Sequence, residues 1–211
     1  MPIARTLALL SFVLLAACNP ATKGDAKTIK PQNPWEMAGD MAMGNAKAKV
    51  VVIEYASVTC VHCAHFHKTV WPTLKTKYID SGKVRFVFRE FPTPPVPVSV
   101  AGFMVAHCAG PDKYFKVVDG LFRAQETILT AQSPRSELLK IAKMSGLTED
   151  KFNACIEDSA TLKHIQGVID VGLDTYKISA TPSFVINGTT HRGLTTIEQF
   201  DEIITPLLAK K

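Results

Sequence analysis

VVVIEYASVTCVHCAHFH, residues 50–67, joins a strand to a helix across a pair of cysteines. Val50–Tyr55 is a β-branched apolar run broken by one acid, Glu54, which is the pattern of a buried strand. Ala56–Thr59 turns into a helix that carries Cys60 and Cys63 and runs toward Tyr78. Pro72 removes a backbone donor inside that helix and should kink it. Ser81-Gly82 ends it, and Val84–Phe88, dense in Phe and Val, is the next strand.

Downstream, Phe91–Pro97 is a proline-rich connection that is expected not to be helical. A helical region follows, in which Tyr114, Val117, Val118, Leu121 and Phe122 fall on one apolar face. Ser133-Pro134 is an N-cap followed by proline at the first helical position. Thr148 with Glu149 and Asp150 opens a helix holding Cys155. Leu162, Ile165, Ile169, Leu173 and Tyr176 make a last stripe. Strand chemistry then returns: Ser183–Ile186, a hairpin turn at Asn187-Gly188, and Thr189–Arg192. Thr195 with Glu198 reads as a capping box opening the terminal helix. The order is strand–helix–strand, a large helical insert over about 96–177, a hairpin and a helix, an α/β fold with an inserted helical subdomain.

A lone C-x-x-C pair has several chemistries. Haem attachment needs histidine directly after the second cysteine, and Ala64 stands there. Structural zinc needs a second ligand pair. His65 and His67 could supply one, but residues two apart on a helix diverge, so no metal and no cofactor is expected at the motif. Redox chemistry fits better. A helix start places the Cys60 sulfur beside unpaired N–H groups and the positive helix end, which favours a thiolate. Cys63, one turn on, lies deeper and can attack a mixed disulfide at Cys60. His62 can add positive charge or a donor, while His65 and His67 read as helix-surface and packing residues.

Five cysteines occur, Cys18, Cys60, Cys63, Cys108 and Cys155. Arg5 followed by the short apolar run Thr6–Leu14 reads as a signal peptide over residues 1–17. Leu15-Ala16-Ala17-Cys18 resembles the lipobox of bacterial lipoproteins, with Cys18 the lipidated residue and an ordinary cleavage near Ala17 the alternative. Lipidation leaves an even number, so 60 pairs with 63 and 108 with 155. Two separate buried thiols at Cys108 and Cys155 are the competing reading. Residues 18–34 are polar and proline-containing, a leash with a span of roughly 20 Å. Residues 35–211 then fit one domain. The net charge of +5 is spread without a basic block, which gives no reason to expect a nucleic-acid partner.

EYASVTCVHCAHFH at 54–67, VRFVFREFP at 84–92 and ATPSFVING at 180–188, in that order around a helical insert, resemble the DsbA-type thiol–disulfide oxidoreductases of the thioredoxin superfamily. The resemblance implies that Cys60 exchanges disulfides with substrate and that Cys63 is its buried partner. It implies a cis-proline loop at Thr181-Pro182, facing the disulfide and holding substrate backbone. It also implies a buried acid at Glu54 under the active site, where a carboxylate can pass a proton to or from Cys63, with Arg89 a candidate counter-ion. The alternative is an edge-strand glutamate facing water. Val61 departs from the proline common between the family's cysteines. The expected activity is a lipid-anchored periplasmic dithiol oxidase acting on reduced or unfolded exported proteins and reoxidised by a quinone-linked membrane partner of DsbB type. Because only a short polar leash precedes the fold, a monomer is expected. A disulfide isomerase or reductase, and more distantly a metal-binding module, are the rivals.

Overall fold

The computed structural model describes residues 31–210, so the expected signal peptide over 1–17 and Cys18 lie outside the described residues. Five strands form one sheet: β1 Met41–Gly44, β2 Val50–Ala56, β3 Val84–Glu90, β4 Ser183–Ile186 and β5 Thr189–Arg192. Their spatial order is β1-β3-β2-β4-β5. β2 and β3 are parallel, joined by the cysteine-bearing helix, while the other pairings are antiparallel. β2 is therefore central and all seven of its residues are buried, which is why its sequence is a nearly continuous apolar run.

Two cores follow from the pleat. Val50, Val52, Ala56, Phe86, Phe88, Phe184 and Ile186 face one side, with Phe66, Phe103, Phe200 and Ile204 packed among them. Val51, Ile53, Tyr55, Val87 and Val185 face the other, against Val168 and Ile178. The chain after β2 forms α1 Val61–Thr69, α2 Trp71–Leu74 and a π-helical turn Lys75–Ile79. The expected kink is a break at Val70, and Pro72 sits in the first turn of α2, where its missing N–H costs nothing.

The insert consists of α3 Val96–Cys108, α4 Pro111–Arg123, α5 Gln125–Thr130, α6 Pro134–Met144, α7 Glu149–Ile156 and α8 Ser159–Asp174. Ser133 and Thr148 cap α6 and α7 as their sequence signals require. Three expectations need correction. The Phe91–Pro97 connection ends earlier than expected, because α3 begins at Val96 with Pro97 tolerated in its first turn. On α8 the buried face is Ile165, Val168 and Gly172, whereas Leu162 and Leu173 are exposed. Gly172 shows why: a Cβ there would lie 2.8 Å from Tyr55 Cε1, so the helix approaches the sheet through its smallest residue. The terminal helix α9, Ile197–Ala209, has its capping box one position later, with Thr196 and Gln199 exchanging the hydrogen bonds.

Candidate active site

Cys60 is the N-cap of α1, with extended backbone, and its sulfur accepts the Cys63 N–H at 3.4 Å. Cys60 is partly exposed while Cys63 is buried, and both are free cysteines. The Thr181–Pro182 bond is cis, and it brings the Thr181 carbonyl to 3.3 Å from the Cys60 sulfur. A neutral Cys60 thiol can donate to that carbonyl, a bond that ionisation gives up. The donors outweigh it. Hydrogen bonding from the Cys63 side chain, with the Thr181 side chain and the Cys63 and His62 backbone, lowers the Cys60 pKa from 9.0 to about 5 against the opposing effect of burial. Cys63 moves the other way: burial, then the bond to Cys60 and the nearby charges of Cys60 and Glu54, push its thiol far above the ordinary range. The two sulfurs thus have opposite preferences, an exposed thiolate above a buried thiol.

The loop before Cys60 is held by groups that sequence reasoning missed. Ser57 Oγ lies 2.9 Å from Thr59 Oγ1 and 2.8 Å from Ser99 Oγ, and it accepts the Thr93 N–H. Gln125, the first residue of α5, donates to the Val58 carbonyl at 2.8 Å and the Cys60 carbonyl at 3.0 Å. The helical insert therefore fixes the loop that presents the reactive sulfur. Polar residues with no periodicity signal of their own carry this role, so only their burial reveals it.

Glu54 is fully buried in the central strand, on the same face as Ala56 and beneath α1, so the edge-strand alternative does not hold. Its partner is His67, whose Nε2 lies 2.9 and 3.1 Å from the two carboxylate oxygens. Two expectations change here. His67 is a buried partner of Glu54, stacked on Phe122 at 4.1 Å, and more than a packing residue. The i+13 spacing from Glu54 gives no local signal, because the contact depends on how α1 crosses β2. Arg89 is not the counter-ion: strand alternation sends it to the opposite face, where it forks onto Asp40 at 2.8 and 3.0 Å and reaches the Tyr55 hydroxyl.

His62 is exposed in the first turn of α1 and lines a 230 Å³ cleft with His65, Phe66, Thr181, Pro182 and Leu194. Its contribution among the leading causes of the Cys60 shift is its main-chain N–H. A second cleft, of 630 Å³, runs between α1 and α4 and reaches His67. Lining neither cleft, Cys108 at the end of α3 is bonded to Cys155 of α7, with Cα atoms 5.9 Å apart.

A family model described as thioredoxin matches residues 36–205. The chain belongs to the thioredoxin family. Among solved structures it is similar to α-DsbA1 of Wolbachia pipientis, 32% identical with a TM-score of 0.76, over 82% of this chain and 92% of that one. A protein-disulfide isomerase of Novosphingobium aromaticivorans, 21% identical at a TM-score of 0.67, shares the fold. A Rickettsia bellii protein provisionally named a protein-disulfide oxidoreductase is 33% identical over 150 residues, 71% of this chain and 57% of that protein. The chain thus spans little more than half the length of that curated relative. Within the thioredoxin family the architecture is DsbA-like, an α/β core with α3–α8 inserted.

Proposed function

We propose that this thioredoxin-family chain is a dithiol oxidase that introduces disulfides into reduced exported proteins. The observation that carries this reading is the asymmetry of the pair, Cys60 lowered to about 5 beside a Cys63 held protonated. In the oxidised form a substrate thiolate attacks the Cys60 sulfur, the Cys60–Cys63 bond breaks, and Cys63 leaves as a thiolate. Burial makes that thiolate costly, so it takes a proton at once, and the Glu54–His67 pair is the candidate donor. The substrate's second thiolate then attacks its own sulfur in the mixed disulfide. Cys60 departs as a stable thiolate, a good leaving group. Two substrate thiols have become a disulfide, and the protein's disulfide has become a dithiol.

Thr181 and Pro182 flank the cleft beside Cys60 and would hold substrate backbone there. Reoxidation by a quinone-linked membrane partner of DsbB type, a lipid anchor at Cys18 and placement in the periplasm as a monomer belong to the same proposal. Among the described residues no helix is long and apolar enough to cross a membrane. The test is the equilibrium of the Cys60–Cys63 pair with glutathione, alongside oxidation of a reduced, unfolded protein. A potential at or above about −180 mV, with turnover lost in Cys60→Ser, is expected. A potential near that of thioredoxin, roughly −270 mV, would make the chain a reductase instead.

A further inference from the structure

Glu90, His107 and His164 come from three elements, the end of β3, the last turn of α3 and the first half of α8. One ligand atom from each lies within 4.8 Å of the others. We propose that these three side chains form a binding site for one divalent cation of the zinc class, separate from the redox pair and clamping α3 and α8 onto the end of β3.

The donor set is the first argument. Two imidazoles and one carboxylate are the ligands of borderline divalent ions, with a fourth position left for water. The geometry is the second. His107 Nε2 lies 2.7 Å from Glu90 Oε1. Bonds of about 2.0–2.1 Å to a tetrahedral ion need ligand atoms ~3.3 Å apart, so an entering ion opens this contact by roughly half an ångström. Tyr114 donates its hydroxyl to the same oxygen, Oε1, and so orients the carboxylate from behind, as outer-shell partners of metal ligands do.

His164 is the third argument. Among the described residues its ring nitrogens make no hydrogen bond, although the ring is half-buried and 5.3 Å from that of His107. The ring is nevertheless seated. A Cβ at Gly39, where φ is +88°, would stand 2.8 Å from His164 Cε1, so a glycine makes room for it. A ring placed so closely without a hydrogen-bond partner has a lone pair to offer. The nearby Arg89 does not veto a cation, since Asp40 neutralises it.

The site touches no sulfur of the active pair. His107 precedes Cys108 of the structural disulfide, and Glu90 is paired in register with Ala56, just before the Ser57–Cys60 loop. A bound ion would therefore brace the insert where it meets the sheet.

The experiment uses the full chain with Cys60 and Cys63 oxidised, so that their thiols do not compete, after treatment with a chelator. Zinc and cobalt(II) are titrated in turn. The expected result is one equivalent bound, a zinc-dependent rise in Tm, and a cobalt spectrum without thiolate charge-transfer bands. His164→Gln should lose at least tenfold in affinity. Its metal-free Tm should match the parent's, because His164 makes no hydrogen bond to lose. Equal zinc affinity in parent and His164→Gln, or no saturable binding in the parent, overturns the site and leaves Tyr114, Glu90 and His107 as a structural hydrogen-bond network. Neither outcome bears on the oxidase reading, which is measured by the potential of the cysteine pair.

Discussion

One sulfur of the pair is a better thiolate and the other a worse one than a free cysteine, and in the proposed exchange a proton must cross that gap on each turnover. Glu54 and His67 are the titratable groups in place beneath Cys63, and the 630 Å³ cleft reaching His67 connects them to solvent. The consequence separates packing from proton transfer. His67→Leu leaves a fully buried carboxylate without its donor, which should cost about 1–3 kcal/mol and lower Tm. His67→Gln keeps a donor but cannot carry a proton. Its Tm should recover most of that loss, while the rate of disulfide transfer should fall severalfold with an altered pH profile. Melting curves and stopped-flow transfer rates across pH read the two effects apart. A His67→Gln protein with parental rates at every pH would confine His67 to a structural role.

At the scale of elements, two side chains tie the insert to the active loop: Ser99 of α3, through Ser57 Oγ, and Gln125, through its bonds to the Val58 and Cys60 carbonyls. Gln125→Ala should leave two carbonyls short of donors, lower stability by about 1–2 kcal/mol and slow attack on Cys60 by loosening its loop. Gln125→Met, similar in length but unable to donate, should behave the same way, which hydrogen exchange at the Val58–Cys60 amides can check. The Cys108–Cys155 bond ties α3 to α7 over a separation of 47 residues, for which chain entropy suggests roughly 4 kcal/mol. Cys108→Ala/Cys155→Ala should therefore melt well below the parent, by differential scanning calorimetry, with the Cys60–Cys63 potential little changed. What sequence could show here divides by locality. β2, β3, the Asn187-Gly188 hairpin and the caps at Ser133 and Thr148 were legible because their signals lie within a few residues. β1 is not legible, since four residues, MAMG, have no strand pattern and exist as a strand by pairing with β3. The partners of Glu54 and Arg89 are not legible either, because side-of-sheet and helix crossing decide them, and those are tertiary facts.

For the whole molecule, the cysteine pair makes stability depend on pH differently in its two redox forms. Only the reduced form has a Cys60 to titrate, and its pKa falls from 9.0 unfolded to about 5 folded. A depressed folded pKa contributes stability that is fully present above the unfolded value and is lost as pH falls through the folded one. The reduced protein should therefore lose stability relative to the oxidised protein between pH 9 and pH 5. Cys63 sets the upper limit: its raised pKa keeps it neutral when folded, so above pH 9 ionisation of the unfolded chain begins to draw stability away again. Against this stands the oxidised form's short disulfide loop, which chain entropy values at about 2 kcal/mol independent of pH. The partly exposed thiolate contributes, after allowance for solvent screening, on the order of 1–2 kcal/mol at neutral pH and more toward pH 9. The two forms should accordingly melt close together near neutrality. The reduced form should be the more stable one approaching pH 9, and the oxidised form by several degrees at pH 5. Groups that titrate alike in both forms cancel in the difference. Calorimetry of the protein at each pH, with Cys60–Cys63 oxidised or selectively reduced and Cys108–Cys155 intact, measures it directly. A difference in Tm that stays constant from pH 5 to pH 9 would mean that Cys60 carries no stabilised thiolate, and the oxidase reading would lose its physical basis.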